Sequence, residues 1–140
     1  MTELAASTKM PTEYVSTYVS SDDAERIYRE LPKFLVDAVG DVVVTVMYGA
    51  LSNIHPDLWY KPMSVGAKWF DKFLRESVEK GIVGPGEADL VVTLPVGIEI
   101  TLCHEKDVHV RADTVEVVES LISSERFRSF VGDVSFAKRG

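Results

Sequence analysis

Between residues 103 and 109 the chain carries a thiol, two imidazoles and two carboxylates: Cys103, His104, Glu105, Asp107 and His109. Each can ligate a divalent metal ion, and a Cys beside a His can also form an activated thiolate. Which chemistry is open depends on which side chains share a face. Upstream, Leu90, Val92 and Leu94 alternate with polar or smaller neighbours, as do Ile98, Ile100 and Leu102, with Pro95-Val96-Gly97 between them. A three-residue hairpin loop ending in a left-handed glycine pairs 94 with 98, 92 with 100 and 90 with 102, keeping the apolar residues on one face. Placing Val108, Val110 and Ala112 on that face pairs 102 with 110 and 100 with 112, around a loop at Glu105-Lys106-Asp107. This register predicts one cross-strand row of Asp89, Cys103 and His109, and a second of Val91, Thr101 and Arg111. Directly paired Cβ atoms stand about 4.5–5.5 Å apart.

In that row Cys103 lies between the acid and the imidazole. A nucleophilic relay needs the imidazole in the middle, and a neighbouring carboxylate opposes thiolate formation. No catalytic set is therefore assigned, and Cys103, His109 and Asp89 are the candidates should one exist. His104 and His109 are five residues apart, not the i,i+4 pair of a helical zinc motif, and the register sends them to opposite faces. The expectation is solvated turn residues without a metal or other cofactor; His104 and His109 are the candidate ligands. Walker, Rossmann, Gly-x-Ser-x-Gly and Cys-x-x-Cys patterns are absent.

Two other features point to recognition. The stretch His55-Pro56-Asp57-Leu58-Trp59-Tyr60-Lys61-Pro62 joins stiff backbone to large aromatic surface. Trp59 and Tyr60 are either interface anchors or a lid folded over the core. Charge is also uneven: residues 87–119 hold eight acids against two bases, within a chain of net charge −7. Glu99, Glu105, Asp107 and Glu116 would present an acidic surface to a basic partner and speed encounter. The same charge argues against a general nucleic-acid binder.

These groups need a scaffold. The 140 residues suit one domain, 1–140, with a mobile tail at 1–11 and a frayed basic tail at 133–140. Val and Ile together number 27 against 10 Leu, which favours a substantial sheet. The expected order is an extended segment at 13–19, a helix at 22–39 broken at Pro32, and a strand at 42–48. A long loop over 49–63, a helix at 65–80 with Trp69 and Phe73 inward, and the meander at 89–112 follow. Last come helical pieces capped by Asp113 and separated by Ser123-Ser124. This is an α+β domain, mainly antiparallel, with helices on one face. A single Cys, the lack of a long apolar run and the lack of a signal-like N-terminus suggest a cytoplasmic protein with no membrane span. The leading expectation is a small acidic protein-binding module, of the inhibitor, immunity or secretion-chaperone kind. A small-ligand domain or enzyme using Cys103, His109 and loop 49–63 is the alternative, and a homo-oligomeric structural subunit a third.

Overall fold

Alternation of apolar and polar residues builds the sheet. The computed structural model describes residues 12–51 and 54–139. The expected tail at 1–11 and the loop residue Asn53 lie outside them. In chain order the elements are β1 (Thr12–Ser16), α1 (Ser21–Val39), β2 (Val43–Tyr48), β3 (Met63–Gly66), α2 (Phe70–Glu79), β4 (Leu90–Leu94) and β5 (Ile98–Leu102). β6 (Val108–Ala112), α3 (Val115–Ile122), α4 (Glu125–Val131) and β7 (Phe136–Arg139) complete them. Among the described residues the strands form one seven-stranded antiparallel sheet, in the order β3-β2-β4-β5-β6-β1-β7. The chain is a single α+β domain with four helices packed against that sheet.

One set of alternating side chains faces the helices: Tyr14, Val44, Val46, Leu90, Val92, Ile98, Ile100, Val108 and Val110 join the core formed with Ile27, Leu31, Leu35, Phe70 and Phe127. The other face carries a polar row, Thr45–Thr93–Glu99–Arg111–Glu13–Arg139, and beside it Met47–Val91–Thr101–His109–Val15–Ala137.

The β4–β5 hairpin has the expected register, with Gly97 at φ 86° and its amide bonded to the Leu94 carbonyl at 3.0 Å. The β5–β6 register is shifted by two residues from expectation. Leu102 faces Val108, Ile100 faces Val110, and Thr101, not Cys103, faces His109. A shift of two leaves every apolar side chain on its face, so hydrophobic pattern cannot discriminate against it. Loop chemistry decides instead. Lys106 takes φ 66°, the Cys103 amide donates to the Asp107 carbonyl at 2.9 Å, and the Lys106 amide returns to the Cys103 carbonyl at 3.0 Å.

Helix α1 runs unbroken through Pro32. Ser20, two residues before the expected start at 22, accepts from the Asp23 amide at 3.1 Å and caps it. Pro32 removes one helical hydrogen bond, but Leu31, Pro32, Phe34 and Leu35 are all buried, and that burial carries the helix past the defect. The expected helix at 65–80 begins later. Met63–Gly66 is a strand paired with β2, a 3-10 turn covers Ala67–Trp69, and α2 starts at Phe70. The inward face is consequently Phe70, Leu74 and Ser77, with Phe73 half-buried; Trp69 is 62% exposed, contrary to expectation. Thr114 caps α3 in place of Asp113, and Ser124 caps α4. The expected frayed tail contains β7, which pairs with β1 and docks Phe136 against Phe127 at 5.7 Å between ring centroids. No helix of the described residues is long and apolar enough to cross a membrane.

Candidate functional site

The five-residue turn between β5 and β6 brings together groups that the expected strand row could not. Cys103 opens it and Asp107 closes it, and His109 follows on the sheet face turned away from the helices. Asp107 is 6% exposed. Its Oδ1 lies 3.3 Å from His109 Nε2. Both atoms are buried, and neither makes a hydrogen bond among the described residues. On the other side of the ring His109 Nδ1 meets Glu13 Oε2 at 3.0 Å. Glu13 comes from β1, which lies beside β6 in the sheet. An ionised carboxylate only accepts, so Nδ1 carries the hydrogen towards Glu13, while Nε2 on the far side of the ring faces Asp107.

Asp89 and His104 form a second, more exposed group. Asp89 Oδ1 accepts from the His104 amide at 2.7 Å and contacts His104 Nδ1 at 2.8 Å. The Asp89 carboxylate raises the His104 imidazole above its ordinary value. Cys103 Sγ lies 3.7 Å from the same ring nitrogen and accepts from the Glu105 amide at 3.5 Å. Burial, reinforced by the carboxylates of Asp107 and Asp89, pushes the Cys103 thiol up to about 12. A thiol held in its protonated form is a poor nucleophile at neutral pH.

The candidates Asp89, Cys103 and His109 thus do not form the expected cross-strand row, because the two-residue shift replaces it. Two overlapping sets form instead, Asp89–Cys103–His104 and Cys103–Asp107–His109. Within each, the potential ligand atoms lie within 4.8 Å of one another. Both imidazoles approach one sulfur, although the expected register kept them apart. Glu13 escaped the sequence reading. The alternation of Thr12, Tyr14 and Ser16 with Glu13 and Val15 could have placed it opposite the core face, but only knowledge that β1 pairs with β6 connects it to His109.

The recognition candidates are dispersed. Glu99 lies on the open sheet face, 3.3 Å from Arg111. Glu105 is exposed in the turn, while Asp107 is buried. Glu116 is exposed on α3, on the helical side of the sheet. Trp59 forms an isolated bridge with Tyr48, and its indole donates to the carbonyls of Ile54 at 3.0 Å and Leu51 at 3.2 Å. Part of the ring remains exposed, and Tyr60 beside it is exposed at φ 53°.

An open groove was not foreseen. Phe34 and Val39 of α1, Leu94, Val96 and Ile98 of the β4–β5 hairpin, and Val117 and Leu121 of α3 line about 650 Å³, with Glu116 and Arg126 at its sides. Phe34 and Arg126 also line an adjoining depression that adds Glu30, Lys33, Asp37 and Glu125. The sequence signal for this groove was Val117, which falls on the apolar side of α3 yet is left exposed because Val118 takes the core position. No protein-family model matches the chain, and neither a curated protein nor a solved structure matches it.

Proposed function

We propose that this α+β domain is a protein-binding module, and that the groove between α1, the β4–β5 hairpin and α3 receives an apolar, basic segment of its partner. The observation that carries the reading is the set of apolar side chains left uncovered there. Val96 is 67% exposed at the hairpin tip, and Val117 is exposed on the facing helix. They adjoin Phe34, Ile98 and Leu121 in one continuous depression. Neighbouring apolar side chains left in water favour a protein contact. Along the groove and the adjoining depression Glu30, Asp37, Glu116 and Glu125 outnumber Lys33 and Arg126. The net charge of −7 acts in the same direction at longer range. An inhibitor or immunity-type protein, or a secretion-chaperone-like binder, working in the cytoplasm, is the biological form this reading favours.

Peptide selection against the full chain tests it. Enriched peptides should combine apolar residues with Lys or Arg, and should shift the amide resonances of Val96, Val117 and Leu121. Val117→Glu should weaken their binding at least about tenfold, since it places a charge where an apolar contact is desolvated. Peptides that bind Val117→Glu as well as the wild type, or that shift only Trp59 and Tyr60, would move the interface to loop 49–63 and sink the groove.

A further inference from the structure

We propose that Cys103 Sγ, Asp107 Oδ1 and His109 Nε2 bind a divalent transition-metal ion of the zinc type, with Glu13 orienting the imidazole. The inference starts from two buried polar atoms that make no hydrogen bond among the described residues, Asp107 Oδ1 and His109 Nε2. Glu13 accepts from Nδ1, which leaves Nε2 as the ring atom that can ligate a metal. It faces Asp107 Oδ1 at 3.3 Å. Buried polar atoms left in this way are costly, because neither recovers the hydrogen bonding it had in water.

A proton between them is a poor remedy, since the pair lacks hydrogen-bond geometry despite its short separation. A metal ion does not need to lie on the line joining the two atoms. With bonds of about 2.0–2.1 Å to nitrogen and oxygen, a tetrahedral centre holds two such ligands about 3.3 Å apart. Oδ1 and Nε2 stand at that separation, 3.3 Å. The Cys103 sulfur lies within 4.8 Å of a carboxylate oxygen of Asp107 and a ring nitrogen of His109, and supplies a third, softer ligand.

The arrangement around His109 supports the same conclusion. A ligating imidazole ordinarily donates its other nitrogen to a carboxylate, which fixes the tautomer and strengthens the donor. Glu13 occupies that place. Asp107 and His109 also line an open cleft with Val15, Thr17, Lys138 and Arg139. Three protein ligands leave a coordination position for water or an incoming ligand. The neighbouring Asp89–His104 pair carries no such cost, because its imidazole and carboxylate satisfy each other at 2.8 Å. Binding converts the Cys103 thiol to a metal-bound thiolate and releases its proton to solvent, with no change of oxidation state.

The test is a titration of the reduced, untagged full chain with Co²⁺, followed by Zn²⁺. One equivalent of Co²⁺ should produce a thiolate-to-cobalt charge-transfer band and tetrahedral visible absorption, both removed by Zn²⁺. Cys103→Ser should abolish the charge-transfer band. His109→Ala and Asp107→Asn should weaken binding by more than about tenfold, and Glu13→Gln by about tenfold. His104→Ala and Asp89→Asn should leave it unchanged. If the buried substitutions prevent folding, ¹⁵N imidazole spectra of the wild type decide: Zn²⁺ should shift His109 Nε2 and leave Nδ1 protonated. Absence of the band in the folded wild type overturns the proposal. So does a band that depends on His104 and Asp89 but not on Asp107 and His109, or a His109 ring that zinc leaves unshifted.

Discussion

Cys103 shows how a residue's surroundings can reverse the chemistry its type suggests. Next to a histidine in sequence it resembles an activated thiol, yet burial holds it protonated up to about 12, against an ordinary 9.0. Above pH 9 the unfolded chain ionises this thiol while the metal-free folded chain retains the proton. The resulting stability is therefore fully present below that pH and is lost as pH rises towards 12. Tyr28, raised chiefly by burial from its ordinary 10.0, acts in the same direction. The urea midpoint of the metal-free protein should fall between about pH 8 and about pH 10.5, and the fall should be smaller in Cys103→Ala. Equal pH dependence in the two proteins would contradict the thiol's assigned environment. The residue types of the candidate site were legible in the sequence, but their grouping was not. His109 meets Asp107 only because Lys106 accepts a left-handed conformation that sequence reasoning reserves for Gly, Asn or Asp. It meets Glu13 only because β1 pairs with β6.

At the scale of the element, what was legible was whatever a single register or face could decide. The β4–β5 hairpin was fixed by alternation and Gly97 together. The β5–β6 pairing had alternation alone, which is blind to a shift of two. The inward face of helix α2 differs from expectation because Val65, the first residue of the expected helix, belongs to β3. Once that residue is removed, the inward face passes from Trp69 to Phe70. The exposed Trp69 ring has Lys68 Nζ at 5.6 Å from its centroid, a cation–π contact worth about 0.5–1 kcal/mol. Phe70, at 0% exposure, belongs to the core. Phe70→Ala should accordingly destabilise by about 3–5 kcal/mol and Trp69→Ala by no more than about 1 kcal/mol. Denaturant unfolding of both variants measures this, and a larger loss at Trp69 would restore the sequence-expected face. The long α1 shows the opposite balance. Local propensity marks a break at Pro32, and the buried face on either side overrides it.

Across the whole molecule, the fold class followed from composition and alternation, whereas the position of β1 did not. The N-terminal described strand sits between β6 and β7, both drawn from the C-terminal part of the chain. Tyr14 of that strand donates to Glu119 Oε2 at 2.7 Å across 105 sequence positions. Local hydrophobic pattern carries no information about so distant a partner. The placement bears on the order of events during folding and synthesis. Strands β4, β5 and β6 can pair through short turns as soon as they exist, but β1 must wait for β6, and its other edge stays open until β7 arrives. Loop closure over such a separation is slow, and its entropy is lost before the contacts form. Disruption of β1 should therefore appear mainly in the unfolding rate. Tyr14→Phe, which removes the Glu119 bond, should speed unfolding several-fold and leave refolding nearly unchanged in stopped-flow measurements. A slowed refolding arm with an unaltered unfolding arm would instead put β1 in the folding nucleus. On the ribosome the first described strand emerges with neither neighbour available. Its unpaired amides and carbonyls must be kept from foreign strand edges until the last strand is released, so the nascent chain passes through an aggregation-prone interval that the finished protein does not have.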